Sequence, residues 1–326
     1  MEQRAVGSSG LRVSRLGLGT MTWGRETDED EAAAQISAFR DAGGTLVDTA
    51  SVYCDGEAEA MIGRLLDDVM PRDEVVLATK AGISFRAGQR LVDVSRGALL
   101  DSLDASLVRL SVDHIDLWQV HTWDGGAPIE ETLSALDAAV SSGRARYVGV
   151  SNFSGWQTAR AATWQLAWPG RARLVSTQME YSLLERGIER EVLPAALDAG
   201  IGLFPWSPLG GGVLTGKYRQ GRPADSRAAA QSKEGAHSRY FDERSAGIVE
   251  AVATAADGLG TSPLAVALAW VRDRPGVAAP IVGARTAGQL MGSLQAEELT
   301  LPESIRAALD DVSAPEISYP ERPEPG

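Results

Sequence analysis

The chain has 326 residues, of which 44% are hydrophobic and 23% are charged, so it can bury a sizeable core, and neither a disordered nor a fibrous protein is expected. Its 31 lysine and arginine residues against 44 aspartate and glutamate residues give a net charge of −13, which argues against unaided binding to nucleic acid or to anionic membranes. Cys54 is the only cysteine, which excludes an intramolecular disulfide and a cysteine-based metal cluster, and no metal site is predicted.

The sequence contains no run of about 18 apolar residues, and its first residues lack the apolar core of a signal peptide. Together with the single cysteine, this pattern predicts a cytoplasmic protein without a membrane partner. The sequence leaves open whether the chain forms a homo-oligomer.

Short β-branched segments alternate with longer alanine- and leucine-rich segments of helical period. Eight strands are predicted, at residues 16–19, 45–48, 75–79, 115–120, 147–150, 174–178, 201–204 and 279–282. No linker interrupts the alternation, and its length suits a (β/α)₈ barrel. The sequence therefore predicts an α/β fold, a TIM barrel, in a single domain over residues 1–326.

Three segments lie outside the repeat. Residues 3–14 have the pattern of a hairpin that caps one end of the barrel. Residues 208–241, after the seventh strand, form a long glycine-rich loop, and a loop of this length in a compact domain is usually functional. Residues 315–326 contain four prolines and predict an extended tail.

Ionisable side chains follow three neighbouring strands of the predicted barrel. Asp48 ends the second strand, Lys80 the third and His121 the fourth, while Tyr53 lies in the loop after Asp48. Catalytic groups of such barrels lie at the carboxyl ends of the strands. We therefore expect these four side chains to converge at one mouth.

The four residue types together predict acid catalysis on an oxygen atom. An ammonium group beside a phenol lowers the phenol pKa from about 10 towards neutrality, so Lys80 would make Tyr53 a usable general acid. Asp48 would keep the lysine charged, and His121 would orient a carbonyl oxygen by a hydrogen bond. Such a site suits the reduction of an aldehyde or a ketone by hydride from a nicotinamide cofactor.

Three tryptophans follow strand ends and are candidates for the aromatic walls of a substrate pocket. They are Trp23, Trp123 and Trp206, after the first, fourth and seventh strands. Tyr53 and His121 would complete that pocket.

Six ordered motifs span nearly the whole chain. They are Gly44-x-x-x-Asp48-Thr49-Ala50-x-x-Tyr53, Ala78-Thr79-Lys80, Gln119-Val120-His121, Gly149-Val150-Ser151-Asn152-Phe153, Pro205-Trp206-Ser207-Pro208-Leu209 and Ile281-Val282-Gly283-Ala284-Arg285-Thr286. In these motifs the sequence resembles the aldo-keto reductase superfamily. The resemblance implies a (β/α)₈ barrel that binds NADPH or NADP⁺, with Tyr53 as the acid, Lys80 and Asp48 as its partners and His121 orienting a small carbonyl substrate.

The resemblance also implies the cofactor contacts. Ser151, Asn152 and Gln178 would hold the carboxamide, Tyr181 would stack near the nicotinamide, and Arg227 would add positive charge at the adenosine phosphate. The other contacts implied along the cofactor are Thr20, Met21, Asp48, Trp206, Ser207, Pro208, Leu209, Gly210, Gly216, Lys217, Gly283, Ala284, Arg285, Gln289 and Ser293. The chain departs from the family pattern at Cys54, Ala58 and Ser293, where the family often has glycine, serine and asparagine.

Two other functions compete with the reductase. In the first, Lys80 forms a Schiff base with a carbonyl substrate, as in a lyase or aldolase barrel. In the second, the chain senses a cofactor as a binding module, because its relatives also resemble potassium-channel β subunits. The substrate stays open among small aromatic aldehydes, dicarbonyls and keto sugars, since loop side chains determine it.

Overall fold

A computed structural model describes residues 1–66, 68–218 and 240–316. Eight parallel strands form one sheet in which the neighbours follow chain order. They are β3 (Gly17–Gly19), β4 (Leu46–Asp48), β5 (Val76–Ala81), β8 (Ile115–Val120), β9 (Ala145–Ser151), β10 (Leu174–Glu180), β11 (Gly202–Trp206) and β12 (Ile281–Gly283).

The sheet curves until its two edges meet. Leu203 of β11 donates its amide hydrogen to the carbonyl of Gly276 at 2.8 Å and accepts one from Ala278 at 2.9 Å, just before β12 begins. The predicted (β/α)₈ barrel is confirmed, with every predicted strand overlapping an observed one.

Helices surround the barrel and cover the apolar outer faces of its strands. They are α1 (Glu29–Asp41), α2 (Glu57–Leu65), α3 (Arg96–Leu110), α4 (Ile129–Ser141), α5 (Gly155–Leu166), α6 (Val192–Asp198), α7 (Glu243–Leu259), α8 (Pro263–Arg272), α9 (Ala287–Leu294) and α10 (Glu303–Val312). No single helix in the described ranges is long and apolar enough to cross a membrane. Helices α7 and α8 pass that test only as a pair, bent by 102°.

The predicted amino-terminal hairpin is present and closes the end of the barrel where the strands begin. Its strands β1 (Gln3–Ala5) and β2 (Arg12–Ser14) pair antiparallel. Its buried apolar side chains pack against the first inward-facing layer of the barrel, in a cluster that includes Val6, Leu11, Val13, Leu46, Ala78, Leu117, Phe204 and Ile281. This end of the barrel is filled by side chains.

A second hairpin, which the sequence analysis did not predict, extends from the opposite end. Strands β6 (Ile83–Arg86) and β7 (Gln89–Val92) pair antiparallel directly after β5. Ala87 and Gly88 form the turn with φ of 50° and 77°, as a two-residue type I′ hairpin turn requires. A small residue followed by glycine, after a segment in which apolar and polar residues alternate, was the sequence signal for it.

Two other predicted segments extend beyond the described residues. The first part of the loop after β11, up to residue 218, is described, whereas residues 219–239 lie outside the described ranges. Residues 317–326 of the predicted tail also lie outside them, so the extended tail stays a prediction.

Candidate active site

A buried ion pair lies at the carboxyl end of the barrel. The Lys80 side chain is fully buried, and its Nζ atom donates hydrogen bonds to Asp48 Oδ2 at 2.7 Å and to the Thr49 carbonyl at 2.8 Å. Gln178 Nε2 donates to the other carboxylate oxygen, Oδ1, at 2.9 Å. Three strands thus converge on one carboxylate.

The alternation of side chains along the strands explains this convergence. Asp48 lies two residues after Leu46 and Lys80 two residues after Ala78, so each shares the inward face of its strand with an apolar residue of the closed end. The parallel register places Asp48 opposite Ala78, and Lys80 then reaches back to the carboxylate. The ion pair therefore follows from the strand pattern and needs no loop.

Tyr53 lies beside this pair on the turn that precedes α2. The Lys80 Nζ atom is 5.3 Å from the centroid of the Tyr53 ring. The next three residues, Cys54, Asp55 and Gly56, all have left-handed backbone conformations, with φ of 50°, 55° and 94°. A glycine at position 54 would adopt this conformation without strain, whereas this chain has Cys54 there.

The pKa of Tyr53 is higher than the sequence analysis expected. Burial raises the pKa of the phenol above its ordinary value of 10.0, the charge of Lys80 lowers it by less, and Asp48 raises it further. The predicted shift towards neutrality is wrong, because it took account of the charge of Lys80 but not of the burial of the phenol. Burial lowers the pKa of Lys80, but the attraction of Asp48 and Tyr53 outweighs it, so the lysine pKa is raised and the ammonium stays charged.

His121 faces Tyr53 across the mouth. The two ring centroids are 6.0 Å apart at an interplanar angle of 79°. Burial lowers the pKa of His121 to about 3, and the charges of Lys80 and Arg90 add to the effect, so the imidazole is neutral at pH 7. Its Nδ1 atom is buried and has no hydrogen-bond partner among the described residues.

Polar side chains next to His121 are bonded to one another. Asn152 Nδ2 donates to the His121 carbonyl at 3.0 Å and to Ser151 Oγ at 3.1 Å, and Asn152 Oδ1 accepts from Trp206 Nε1 at 3.1 Å. Ser151 Oγ donates to the Gln178 carbonyl at 2.8 Å. This network fixes the ends of four adjacent strands, β8 to β11, relative to one another.

A cavity of about 690 Å³ begins at this cluster and continues across the mouth. Its sides come from the ends of β3, β10, β11 and β12 and from the loop after β11. The predicted residues that line it are Thr20, Met21, Asp48, Tyr53, His121, Ser151, Asn152, Gln178, Trp206, Ser207, Pro208, Leu209, Lys217, Gly283, Arg285, Gln289 and Ser293. Its volume fits a ligand the size of a dinucleotide or a drug-like molecule.

The loop after β11 brings a cation to the cavity. A Cβ atom at Gly212, where φ is 92°, would lie 3.1 Å from Lys217 Nζ, so glycine lets the ammonium fold back against the loop. Gly210 and Gly216 also have positive φ and shape this loop, but they are not among the residues that line the cavity, and their cofactor contacts stay predictions. Ala284 does not line it either, being buried with its carbonyl accepting from Thr22 Oγ1 at 3.1 Å.

One predicted aromatic wall lies in the core, and a second stays a prediction. Trp23 is fully buried, and its Nε1 atom donates to Gln35 Oε1 at 3.2 Å, so it belongs to the core and not to a substrate pocket. Trp123 packs edge-to-face on Phe153 and Trp156, with centroids 5.1 and 5.3 Å away, and does not line the cavity.

Tyr181 and Arg227 are the two remaining residues that were predicted to contact the cofactor. The Tyr181 ring is buried, and its hydroxyl donates to Glu189 Oε1 at 2.6 Å on the outer side of the barrel, so it does not stack in the cavity. Arg227 lies outside the described residues.

Several residues that line the cavity were not predicted from the sequence: Gly19, Thr22, Gly211, Gly212, Thr215, Leu264, Ile281 and Val282. Gly211 and Gly212 lie between two glycines that were predicted, and Ile281 and Val282 belong to a predicted strand, so position carried a signal there. Leu264 lies on helix α8, so its position in the sequence gave no signal that it lines the cavity. No group of three or more metal-ligating side chains occurs in the described ranges.

The fold and the cavity define a barrel enzyme with a buried ion pair beneath a tyrosine and a neutral histidine. A model of the Aldo/keto reductase family matches residues 15–314. "Uncharacterized oxidoreductase YrpG" of Bacillus subtilis (strain 168) is 38% identical over 328 residues, or 96% of each chain. "Probable voltage-gated potassium channel subunit beta" of Oryza sativa subsp. japonica is 36% identical over 333 residues, or 99% of each chain.

"L-glyceraldehyde 3-phosphate reductase" of Escherichia coli (strain K12) is 34% identical over 319 residues, which cover 95% of this chain and 92% of that one. The chain belongs to the aldo/keto reductase family and is an oxidoreductase. Members of this family typically use a nicotinamide cofactor.

Proposed function

We propose that the protein reduces an aldehyde or a ketone to the alcohol with NADPH, and that Tyr53 is the general acid. One observation carries this proposal: the buried Asp48–Lys80 pair at 2.7 Å lies directly against the Tyr53 ring at the end of a large cavity. A charged group this deeply buried is costly unless it is paired and hydrogen-bonded, as Lys80 and Asp48 are here.

Each side chain has one role in the proposed reaction. The Tyr53 hydroxyl donates its proton to the carbonyl oxygen as negative charge develops there. Lys80, held charged by Asp48, stabilises the tyrosinate that remains. Neutral His121 donates a hydrogen bond from its ring to the same oxygen and orients the substrate. Bound NADPH supplies the hydride.

The residues of the cavity suit a phosphorylated dinucleotide. Lys217 and Arg285 line the cavity, in a chain whose net charge is −13. Two cations in an acidic protein favour an anionic ligand. Gln289 adds a polar group on the first turn of α9, a helix whose amino end favours phosphate, and Ser293 adds one near its carboxyl end. We infer from these residues that NADPH binds more tightly than NADH.

The geometry argues against the Schiff-base alternative. A Schiff base requires a neutral amine that the substrate can reach. Lys80 has no exposed side-chain surface, both of its hydrogen-bond acceptors are protein oxygens, and its pKa is raised. Lys80 also does not line the cavity.

The similarity to a probable potassium channel β subunit favours a second candidate function, in which cofactor occupancy is sensed by a partner protein. A sensor needs a slow catalytic turnover with tight retention of the cofactor. Fast steady-state turnover of a carbonyl compound, with rapid release of the cofactor in each cycle, would exclude this candidate. In the reductase proposal the ligands are a small carbonyl compound and NADPH, the enzyme acts in the cytoplasm, and no nucleic acid takes part.

Fluorescence titration with NADPH and NADH, followed by a spectrophotometric assay with aromatic aldehydes, dicarbonyls and keto sugars, tests the proposal. We expect NADPH to bind at least about tenfold more tightly, which corresponds to one charge-assisted contact with the extra phosphate. Arg285→Ala should remove most of that preference, whereas Arg306→Ala, on α10, should not. Equal dissociation constants for the two cofactors, or no oxidation of NADPH with any of the three carbonyl classes, would contradict the proposal.

A further inference from the structure

The hairpin of β6 and β7 stands beside the catalytic histidine. His121 donates its backbone amide to the Ala81 carbonyl at 2.8 Å, and the hairpin begins two residues after Ala81, at Ile83. Its other end returns to the barrel at Val92, which packs against the main core cluster. The hairpin is thereby anchored at both ends next to the side of the mouth that carries His121.

The register of the hairpin determines which residues face the barrel. Ile83 pairs with Val92 and Phe85 with Arg90, so these four side chains share one face. Ile83 and Val92 are half-buried against the barrel, which identifies that face as the inner one. Phe85 and Arg90 continue it outward, and Phe85 is 53% exposed.

Arg90 has no counter-charge. Among the described residues it forms no hydrogen bond, ion pair or ring contact, although acidic residues outnumber basic ones in the chain. Its charge nevertheless reaches the active site, because it contributes to the lowered pKa of His121. Arg90 does not line the cavity assigned to the cofactor, so its guanidinium is available to another ligand on the histidine side.

We propose that Phe85 and Arg90 form a substrate-specificity site for carbonyl compounds that carry an anionic group, with the guanidinium binding the anion and the aromatic ring packing on the body of the substrate. A guanidinium presents paired donors that match a carboxylate or a phosphate. The anion would lie at the hairpin while the carbonyl oxygen lies between Tyr53 and His121. This inference rests on the proposed carbonyl reduction and adds the class of substrate to it.

The experiment compares 4-formylbenzoate with its neutral methyl ester in the NADPH assay. We expect the wild-type enzyme to prefer the anionic aldehyde, and Arg90→Gln to lower the ratio of the two kcat/KM values about tenfold, the loss of one charge-assisted contact. The loss should fall on KM for the anionic aldehyde, with kcat and the constants for the ester changed less than about twofold.

Two further variants make the test specific. Arg86→Gln removes the same charge from the opposite face of the same hairpin, where Arg86 pairs with Gln89, and should leave the ratio unchanged. Arg90→Lys should retain most of the preference. Glyceraldehyde 3-phosphate in place of the benzoate then distinguishes a phosphate from a carboxylate as the favoured anion.

The outcomes separate this inference from the proposed function. Turnover of both aldehydes without a preference for the anion, an unchanged ratio in Arg90→Gln, or an equal loss in Arg86→Gln would overturn the specificity site alone. No turnover of any of the three aldehydes, together with no oxidation of NADPH by the dicarbonyls and keto sugars, would contradict the proposed function and this inference together.

Discussion

The two ends of the barrel are built from the same strands and have opposite character. At the closed end, inward-facing apolar side chains such as Leu46 and Leu117 pack against the amino-terminal hairpin. At the open end, two and four residues further along, the same inward faces present Asp48 and His121. The closed end is packed with apolar side chains, whereas the open end contains a buried ion pair beneath a cavity of about 690 Å³.

This difference separates stability from chemistry along the length of each strand. The apolar layer stabilises the fold by burying surface, and the polar layer depends on that support because a buried ion pair contributes little net stability of its own. Substitutions at the closed end should therefore change the free energy of unfolding, and substitutions at the open end should change catalysis.

The largest effect is expected for Tyr53→Phe. Loss of a positioned general acid costs about 10²- to 10⁴-fold in kcat, while the dissociation constant of NADPH should change little because only the hydroxyl is removed. Tyr147→Phe is the matched control, since Tyr147 packs at the closed end and loses the same atom. Steady-state reduction of an aldehyde measures kcat for both variants. Equal activities of the two variants would contradict the division between the ends.

Removing one partner of the ion pair should damage both stability and catalysis. Lys80→Met leaves Asp48 buried without a counter-charge, and such a change typically costs about 3–5 kcal/mol in the free energy of unfolding. The double variant with Asp48→Asn should recover most of that stability in urea denaturation but none of the kcat. Recovery of activity in the double variant would show that the pair has only a structural role.

A smaller change in the free energy of unfolding, with catalysis preserved, is expected at the closed end. Leu117 is fully buried, so Leu117→Ala should cost about 2–5 kcal/mol in urea denaturation. The kcat of the folded fraction should stay within about twofold of the wild type, because the strand continues unchanged to His121. A loss of kcat comparable to that of Tyr53→Phe would show that the two layers are coupled.

The fold and the polar layer can be predicted from the sequence more completely than the surroundings of the site. Strand alternation predicts that Asp48, Lys80 and His121 share the open end, because side-chain direction within a strand follows a fixed period of two. Trp23 follows a strand end as Trp206 does, yet it points into the core, because no such period governs loops. The raised pKa of Tyr53 depends on the burial of its phenol, which the sequence pattern around Tyr53 does not encode.

The smallest effect concerns the dependence of kcat on pH. Tyr53 acts as an acid only while protonated, and its pKa is raised above 10.0, so the acidic form persists through neutral and mildly alkaline pH. His121, with a pKa of about 3, stays neutral over the same range. The kcat for reduction should therefore be flat from about pH 6 to pH 9. A fall near pH 7 or 8 in a buffered rate profile would indicate a lowered phenol pKa in the working enzyme.

Transfer of deuterium in a single turnover tests the central claim most directly. NADPH carrying deuterium at the hydride-donating C4 position is mixed with excess enzyme and an aldehyde, and the product is analysed by mass spectrometry. The account predicts deuterium on the alcohol carbon with the wild type and with Tyr147→Phe, and essentially none within the same time with Tyr53→Phe. An unlabelled product from the wild type, or transfer by Tyr53→Phe at the wild-type rate, would contradict it.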